Sequence, residues 1–125
     1  EHIMYNGNEK VILCERGLKS FDNAFTRNVL DIAAVPVIKK YSHLPIIVDP
    51  SHGTGQRYLI EPMAKAGLVA GADGVMVEVH HNPSCALSDG KQSLSIPQFK
   101  EVFSRLNKMI DVLHLEKSTT LSCVE

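Results

Sequence analysis

The segment Ile46–Gly55, with the sequence IIVDPSHGTG, is the starting point for interpreting this chain. Its leading apolar residues lie between a proline and an Asp-Pro pair and are typical of a strand in a parallel sheet, which helices cover on both faces. A carboxylate, a hydroxyl and an imidazole follow directly, from Asp49, Ser51 and His52. Because α/β folds place their chemistry at the carboxyl ends of parallel strands, the segment predicts a functional site. The alternative is an ordinary turn with an exposed loop histidine.

The composition is that of an ordinary soluble domain. The chain has 125 residues, of which 44% are hydrophobic and 22% are charged, and this length suits a single domain. A formal net charge of -1 gives no electrostatic attraction to nucleic acid or to an anionic membrane, and no apolar run is long enough to span a bilayer. We therefore expect neither partner. Three cysteines, an odd number without metal-type spacing, indicate a reducing compartment, and we expect the cytoplasm.

A strand followed by a helix is predicted three times along the chain. The strands are KVILC (10–14), LPIIV (44–48) and GVMV (74–77), and they begin about 30 residues apart, the size of a βα repeat. The helix after the second strand has one apolar face, made of Leu59, Met63, Ala66 and Ala70. In the last helix, Ser95 and Gln98 form a capping box. Its apolar residues recur at spacings of three and four, and they are Phe99, Val102, Leu106, Met109 and Leu113.

Both ends of the chain look like boundaries of this βα region. Residues 1–8 resemble the last turn of a helix that stops at Gly7, so we expect further sequence upstream. Residues 116–125 lose all periodicity and predict a disordered tail. Three βα units suit half of a doubly wound sheet or part of a barrel, since a complete (β/α)8 barrel needs about 250 residues.

Charged and imidazole side chains follow each predicted strand. They are Glu15 and Arg16, then Asp49 and His52, then Glu78, His80 and His81, with Asp89 in the following loop. In a parallel array these groups converge on one rim, where an imidazole and two carboxylates make a nitrogen–oxygen site suited to Mn²⁺, Fe²⁺, Co²⁺ or Zn²⁺. An arginine on the same rim offers bidentate recognition of a phosphate or a carboxylate.

Simpler roles stay open for several of these residues. Glu15 and Arg16 could pair with each other at the rim, where such an ion pair contributes little to stability. If the third strand continues, His80 and His81 point to opposite faces, so at most one of them joins a site. Cys14, at the end of a buried run, is expected to fill the core.

Five motifs, taken in order, resemble the C-terminal portion of the 3-deoxy-D-arabino-heptulosonate 7-phosphate (DAHP) synthases. They are CERG (14–17), TRN (26–28), AVPVIKKYSHLPIIVDPSHGTG (34–55), GADGVMVEVHHNP (71–83) and ALSDGKQSL (86–94). The resemblance is to the short-barrel branch related to the 3-deoxy-D-manno-octulosonate 8-phosphate (KDO8P) synthases. Members are TIM (β/α)8 barrels, so it implies the last three βα units, strands 6–8, of a parallel barrel. Residues 1–115 would be the C-terminal part of one catalytic domain whose N-terminal part is absent, and residues 116–125 its tail.

The resemblance also implies an activity. The family condenses phosphoenolpyruvate (PEP) with erythrose 4-phosphate and water and releases phosphate, as the first step of the shikimate pathway to aromatic amino acids. A full-length chain is then expected to bind these two substrates and to form a homo-oligomer. His52, Glu78 and Asp89 match the family's metal ligands, and His52 and Glu78 would act in catalysis. Asp49 would lie behind the ligands and orient them.

Two arginines would bind substrate if the resemblance holds. Arg16, in ERG, matches a PEP-binding arginine, and Arg27, in TRN, would contact a substrate phosphate. The family's fourth metal ligand, a cysteine on the first strand, has no match here. Most of the family's phosphate-binding lysines and arginines lie on strands one to five, so they have no counterpart in this chain either. His81 stands where the family commonly has proline.

Two other functions compete with this one. The KDO8P synthases share the ADG, E-H and SDG skeleton, but they have DATHS around the histidine where this chain has DPSH. A non-catalytic remnant, which docks onto another chain as an assembly piece, is the second alternative. The DNA upstream of Glu1 would decide between a remnant and an enzyme.

Overall fold

In a computed structural model, the chain forms a small parallel sheet with helices packed against it. The structure describes residues 1–21 and 24–121, with side chains up to residue 113. The helices are α1 (His2–Tyr5), α2 (Ala34–Tyr41), α3 (Pro50–Thr54), α4 (Arg57–Val69) and α5 (Ile96–Leu121). The strands are β1 (Leu13–Glu15), β2 (Ile46–Val48) and β3 (Gly74–Val75), and a 3₁₀ turn covers Pro83–Cys85. All three predicted strands are present, although each is shorter than the predicted run.

The strands lie in the order β1-β2-β3, and both pairs are parallel. Leu13 lies beside Ile46, and Ile47 lies beside Gly74. All three carboxyl ends therefore open on the same edge of the sheet, as the sequence predicts. This arrangement confirms the α/β class with a parallel sheet.

The prediction that helices bury both faces of the strands is wrong. Ile46 and Val48, on one face of β2, are fully buried. Ile47, on the other face, is only half-buried, and its neighbour Cys14 is exposed. The helices that pack on β2, namely α2 and α4, therefore cover one face. Cys14 does not fill the core as predicted, because its side chain lies on the opposite face.

The core consists of two clusters on the covered side of the sheet. One lies against β1 and β2 and contains the buried residues Val35, Ile46 and Val48. The other lies between α4 and α5 and contains Ile60, Ala64, Leu68, Leu94, Val102 and Leu106. Val75 packs against both clusters, so β3 joins them into one interior.

Helix α4 turns a different face to the core than the predicted one. Its buried residues are Ile60, Ala64, Gly67 and Leu68, whereas the predicted face is only partly buried. The helix is apolar around much of its circumference, so periodicity alone fits both faces. Packing decides between them: a side-chain carbon at Gly67 would overlap Val48, so the glycine lets α4 lie directly on β2.

The predicted capping box of α5 is confirmed. The N–H of Ser95 donates to Oε1 of Gln98 at 2.9 Å, and the N–H of Gln98 donates to Oγ of Ser95 at 3.4 Å. The helix continues to Leu121, so residues 116–121 are helical in the segment for which the sequence predicts a disordered tail, and residues 122–125 lie outside the described part. The domain division at residue 115 stays a prediction. Among the helices described, none combines the length and the apolar character that crossing a bilayer requires.

Candidate metal centre

Residues 49–55 form a complete short helix directly after β2. Asp49 caps its start, since its side chain accepts the backbone N–H of His52 at 3.0 Å. Pro50 takes the first helical position, which needs no N–H donor. Gly55 ends the helix in the left-handed conformation, at φ 67°, which glycine adopts without strain. The ordinary turn that the sequence left open as an alternative is therefore helix α3, and it fixes His52 at the carboxyl end of β2.

Asp49 orients the imidazole of His52. Its carboxylate is fully buried, and Oδ2 lies 2.8 Å from Nδ1 of His52. Because a carboxylate oxygen accepts hydrogen bonds, this contact favours a hydrogen on Nδ1, and the neutral tautomer of that kind has Nε2 available to an ion. Arg16, which is 53% exposed, forms an ion pair with the same carboxylate, with its Nε 3.1 Å from Oδ2. Asp49 therefore lies behind the imidazole and also holds Arg16, whose ion pair is with Asp49 rather than with Glu15.

Glu78 is held at both its backbone and its side chain. Its N–H donates to Oγ of Ser51 at 3.0 Å, and its carbonyl accepts the N–H of Leu94 at 2.9 Å. In the side chain, Oε2 accepts a hydrogen bond from Nε2 of the buried Gln92 at 3.0 Å. The same oxygen lies 3.4 Å from Nε2 of His52. The carboxylate is therefore fixed beside Nε2 of the imidazole.

Asp89 comes from the loop that precedes α5. Its φ is 55°, in the left-handed region that Asp and Asn tolerate better than other non-glycine residues. Its backbone carbonyl accepts the N–H groups of Gln92 and Ser93, both at 3.1 Å. Its Oδ1 pairs with Nη1 of Arg27 at 3.0 Å. A tight turn thus presents the carboxylate next to an arginine.

The structure brings together His52, Glu78 and Asp89. One ligand atom from each lies within 4.8 Å of the other two, and all three residues are partly exposed. Ligand atoms that share one ion at about 2.1 Å lie about 3 to 4 Å apart, so a small adjustment of side chains brings these atoms to the spacing of a coordinated set. An imidazole with two carboxylates is a donor set that suits Mn²⁺, Fe²⁺, Co²⁺ or Zn²⁺. The residues therefore fit a divalent ion.

Glu15, His80 and His81 lie outside this group. Oε1 of Glu15 accepts the N–H groups of Gly17 and Asp31, at 2.8 and 3.1 Å, so this carboxylate organises the loop after β1. The two histidine rings lie against each other, with centroids 4.4 Å apart. The prediction that they point to opposite faces required the third strand to continue, and β3 ends at Val75, before it reaches them.

Two polar residues of the centre are not among the site residues that the sequence predicts. Gln92 is 3% exposed and donates to the carboxylate of Glu78. Asn28 donates its N–H to the carbonyl of Gly53 at 3.0 Å and its Nδ2 to the carbonyl of His52 at 3.3 Å. Gln92 belongs to the motif ALSDGKQSL, and Asn28 belongs to the motif TRN. Their roles follow from burial and from contacts across the fold, which the sequence does not display.

A cavity of about 530 Å³ adjoins Asp89. Its wall includes Arg27, Lys91, Gln92 and Gly55. Two cationic side chains in one wall favour an anionic ligand. Arg27 contributes both to this wall and to the ion pair with Asp89, so the cavity and the candidate metal group are directly connected.

The sequence profile of the DAHP synthetase I family matches residues 1–114. A phospho-2-dehydro-3-deoxyheptonate aldolase from Thermotoga maritima is 55% identical over 113 residues, which are 90% of this chain and 33% of that protein. A 2-dehydro-3-deoxyphosphooctonate aldolase from Trichlorobacter lovleyi is 34% identical over 115 residues, covering 83% of this chain and 41% of that protein. The chain thus spans about a third to two fifths of the length of these curated relatives.

Two solved structures from Thermotoga maritima are similar in both sequence and fold. One is a truncated form of 3-deoxy-D-arabino-heptulosonate 7-phosphate synthase, with a TM-score of 0.85 and 54% identity, covering 90% of this chain and 42% of that one. The other is a phospho-2-dehydro-3-deoxyheptonate aldolase (DAHP synthase), with a TM-score of 0.86 and 54% identity, covering 90% and 33%.

Proposed function

Because the chain belongs to the DAHP synthetase I family, we propose that it is the C-terminal part of a DAHP synthase, which condenses PEP with erythrose 4-phosphate. The observation that carries the proposal is the meeting of His52, Glu78 and Asp89 within 4.8 Å. They come from three separate segments: His52 follows β2, Glu78 follows β3, and Asp89 lies in the loop before α5. A nitrogen–oxygen group of this kind, beside Arg16 and Arg27, suits metal-assisted condensation of anionic substrates.

The three βα units are the last three of a (β/α)8 barrel, strands 6–8. The TM-score of 0.85 against a DAHP synthase supports this assignment. The uncovered face of the sheet, which carries Cys14 and Ile47, supports it as well. In a barrel that face points inward, where side chains from the other strands fill the interior.

His52, Glu78 and Asp89 would hold a divalent ion from the group Mn²⁺, Fe²⁺, Co²⁺ and Zn²⁺. When bound, such an ion supplies Lewis-acid polarisation of the aldehyde carbonyl of erythrose 4-phosphate. Asp49 keeps the imidazole in the tautomer that offers Nε2 to the ion. His52 and Glu78 thereby act next to the reacting atoms, and the buried Gln92 keeps the carboxylate of Glu78 in place.

Arg16 binds PEP. Asp49 fixes its Nε, and the exposed guanidinium can take a carboxylate or a phosphate in bidentate fashion. This contact aims C3 of PEP at the aldehyde carbon. A carbon–carbon bond forms between the two, water adds at C2, and the resulting hemiketal phosphate collapses to release inorganic phosphate. Arg27, on the wall of the 530 Å³ cavity, contacts a substrate phosphate.

A KDO8P synthase is the second candidate, because an octulosonate aldolase is 34% identical to this chain. The heptonate aldolase is 55% identical, and the DPSH sequence around His52 differs from the DATHS of the octulosonate enzymes. Both observations favour the DAHP synthase. The two enzymes differ in the length of the sugar that they extend, so a substrate comparison separates them.

The purified full-length protein that contains this chain tests the proposal. It is stripped of metal with a chelator and incubated with PEP and either erythrose 4-phosphate or the five-carbon aldose phosphate that an octulosonate product requires. We expect phosphate release with the four-carbon sugar, and only after Mn²⁺ is restored. Release with the five-carbon sugar alone would identify the second candidate. No release with either sugar would contradict both and favour the assembly remnant.

A further inference from the structure

Residues 89–93 form a tight turn, here called the Asp89 turn, that one arginine spans. The carbonyl of Asp89 accepts the N–H groups of Gln92 and Ser93, and it also accepts Oγ–H of Ser93 at 2.9 Å. Two other carbonyls of the turn, those of Gly90 and Ser93, accept hydrogen bonds from Arg57. Nη2 of Arg57 lies 2.6 Å from the carbonyl oxygen of Gly90, and its Nε lies 2.6 Å from that of Ser93.

Arg57 belongs to the segment that carries the candidate metal histidine. It is the first residue of α4, and only Gly55 and Gln56 separate it from α3, which holds His52. Helices α3 and α4 also pack against each other. The guanidinium therefore connects the Asp89 turn to the part of the chain that places His52. Because the guanidinium is planar and rigid, its two bonds fix both the distance and the orientation of the turn.

The turn presents two groups to the candidate metal centre. The carboxylate of Asp89 is one of the three converging ligands, and the amide of Gln92 donates to Oε2 of Glu78. Asp89 has a positive φ of 55°, and such a conformation persists only where the surroundings hold it. Movement of the turn would therefore displace one ligand and release another.

We propose that Arg57 is a positioning residue, which sets the distance from Asp89 to His52 and Glu78 and so tunes the affinity of the centre for its divalent ion. This inference rests on the proposed function where it concerns the ion. The part of the inference that concerns structure is that Arg57 keeps the Asp89 turn ordered, and it depends only on the two hydrogen bonds to carbonyl oxygens. Lysine at this position would keep the charge but cannot reach both carbonyls with a rigid fork.

The test uses the full-length protein and the variants Arg57→Lys and Arg57→Met. Binding of Mn²⁺ to metal-free protein is measured by isothermal titration calorimetry, and amide hydrogen exchange of residues 89–94 is followed in the same metal-free samples. We expect Mn²⁺ affinity to fall about 10- to 100-fold in both variants, as for residues that orient metal ligands. We also expect faster exchange in the turn. At saturating Mn²⁺, the KM for PEP should stay unchanged.

Arg105→Met is the matched control. Arg105 is 48% exposed, and it pairs with Glu61 and Glu101 rather than with the Asp89 turn. This variant should retain the Mn²⁺ affinity of the parent protein and its exchange rates in the turn.

The outcomes separate this inference from the proposed function. Absence of Mn²⁺ binding by the parent protein would contradict the metal centre, while the exchange measurement would still test Arg57. An Arg57→Met protein that binds Mn²⁺ as tightly as its parent, with unchanged exchange in the turn, would overturn the inference. Unfolding of the conservative Arg57→Lys variant would overturn it too, because the arginine would then hold the whole fold rather than one turn.

Discussion

Asp49 is fully buried, and its carboxylate makes two hydrogen bonds and one ion pair. The hydrogen bonds come from the backbone N–H and the ring Nδ1 of His52, and the ion pair is with Nε of Arg16. A buried carboxylate is costly unless such donors compensate for the lost water. The same three contacts link the candidate metal histidine to the candidate PEP arginine through one side chain.

Replacing Asp49 with Asn should therefore weaken metal binding without removing a ligand. An amide is uncharged and stabilises the required tautomer of His52 less well, so we expect Mn²⁺ affinity to fall about 10- to 100-fold. Calorimetric titration of the full-length protein measures this effect. Asp111→Asn, on the exposed side of α5, is the control and should leave the affinity unchanged. Equal affinity in Asp49→Asn and its parent would show that Asp49 only stabilises the fold.

Substitution of His52 and of Arg16 should have different consequences. His52→Ala removes one of three converging ligand atoms, so bound metal and turnover should both be lost. Arg16→Ala should raise the KM for PEP and leave the metal content nearly unchanged, because Arg16 contacts Asp49 and not the converging atoms. Elemental analysis with steady-state kinetics distinguishes the two variants. Equal loss of metal in both would refute this division of roles, and His43→Ala, an exposed histidine outside the centre, serves as control.

At the scale of the elements, local signals predicted the strands and the last helix, while packing decided the rest. The capping box at Ser95 is a local feature, and it forms as predicted. Helix α3 was missed because DPSHGTG is also a good turn sequence; the signal that could have found it is an Asp N-cap followed by proline. The core-facing side of α4 depends on contact between Gly67 and Val48, which periodicity does not reveal.

Convergence of the candidate ligands was predictable because parallel strands end on one edge. The exposure of Cys14 was not, since burial of a strand face depends on what packs against it. The roles of Gln92 and Arg57 were not predictable either. Both act through contacts with residues far along the chain, namely Glu78 for Gln92 and the carbonyls of the Asp89 turn for Arg57.

Glu61 joins α4 to α5 and should make stability depend on pH. Its pKa lies below the ordinary carboxyl value of 4.5, chiefly because Lys65 donates a hydrogen bond to it, with a further contribution from Arg105. A carboxyl whose pKa is lowered by folding stabilises the protein above 4.5, and this contribution is lost as pH falls through the folded-state pKa. Glu61→Gln should therefore lower Tm at neutral pH but not in strong acid.

Thermal unfolding of the full-length protein at neutral pH and well below pH 4.5 measures this difference. Glu9→Gln, at an exposed loop position, should show no such dependence. A Tm difference between Glu61→Gln and its parent that is the same at both pH values would rule out the ion pairs as its cause.

At the scale of the whole molecule, the open sheet determines how this chain should behave alone. β1 and β3 are the edge strands of the described sheet, and unpaired strand edges promote association between chains. The uncovered face adds apolar surface, with Ile12 61% exposed and Met76 43% exposed. We therefore expect the isolated 125-residue chain to self-associate and to lack condensation activity.

Sedimentation velocity and a phosphate-release assay with PEP, erythrose 4-phosphate and Mn²⁺ test this expectation on the purified chain. The proposed barrel splits the active site between this segment and the rest of the protein, so no release is expected. Turnover by a monodisperse monomer would contradict the proposed division of the site.

The central claim is that His52, Glu78 and Asp89 hold one divalent ion. Anomalous diffraction from crystals of the full-length protein with Zn²⁺, collected above and below the zinc absorption edge, tests it directly. We predict a peak at about 2 Å from Nε2 of His52 and from one carboxylate oxygen each of Glu78 and Asp89. A fully occupied zinc peak elsewhere, with no peak between these three side chains, would contradict the claim.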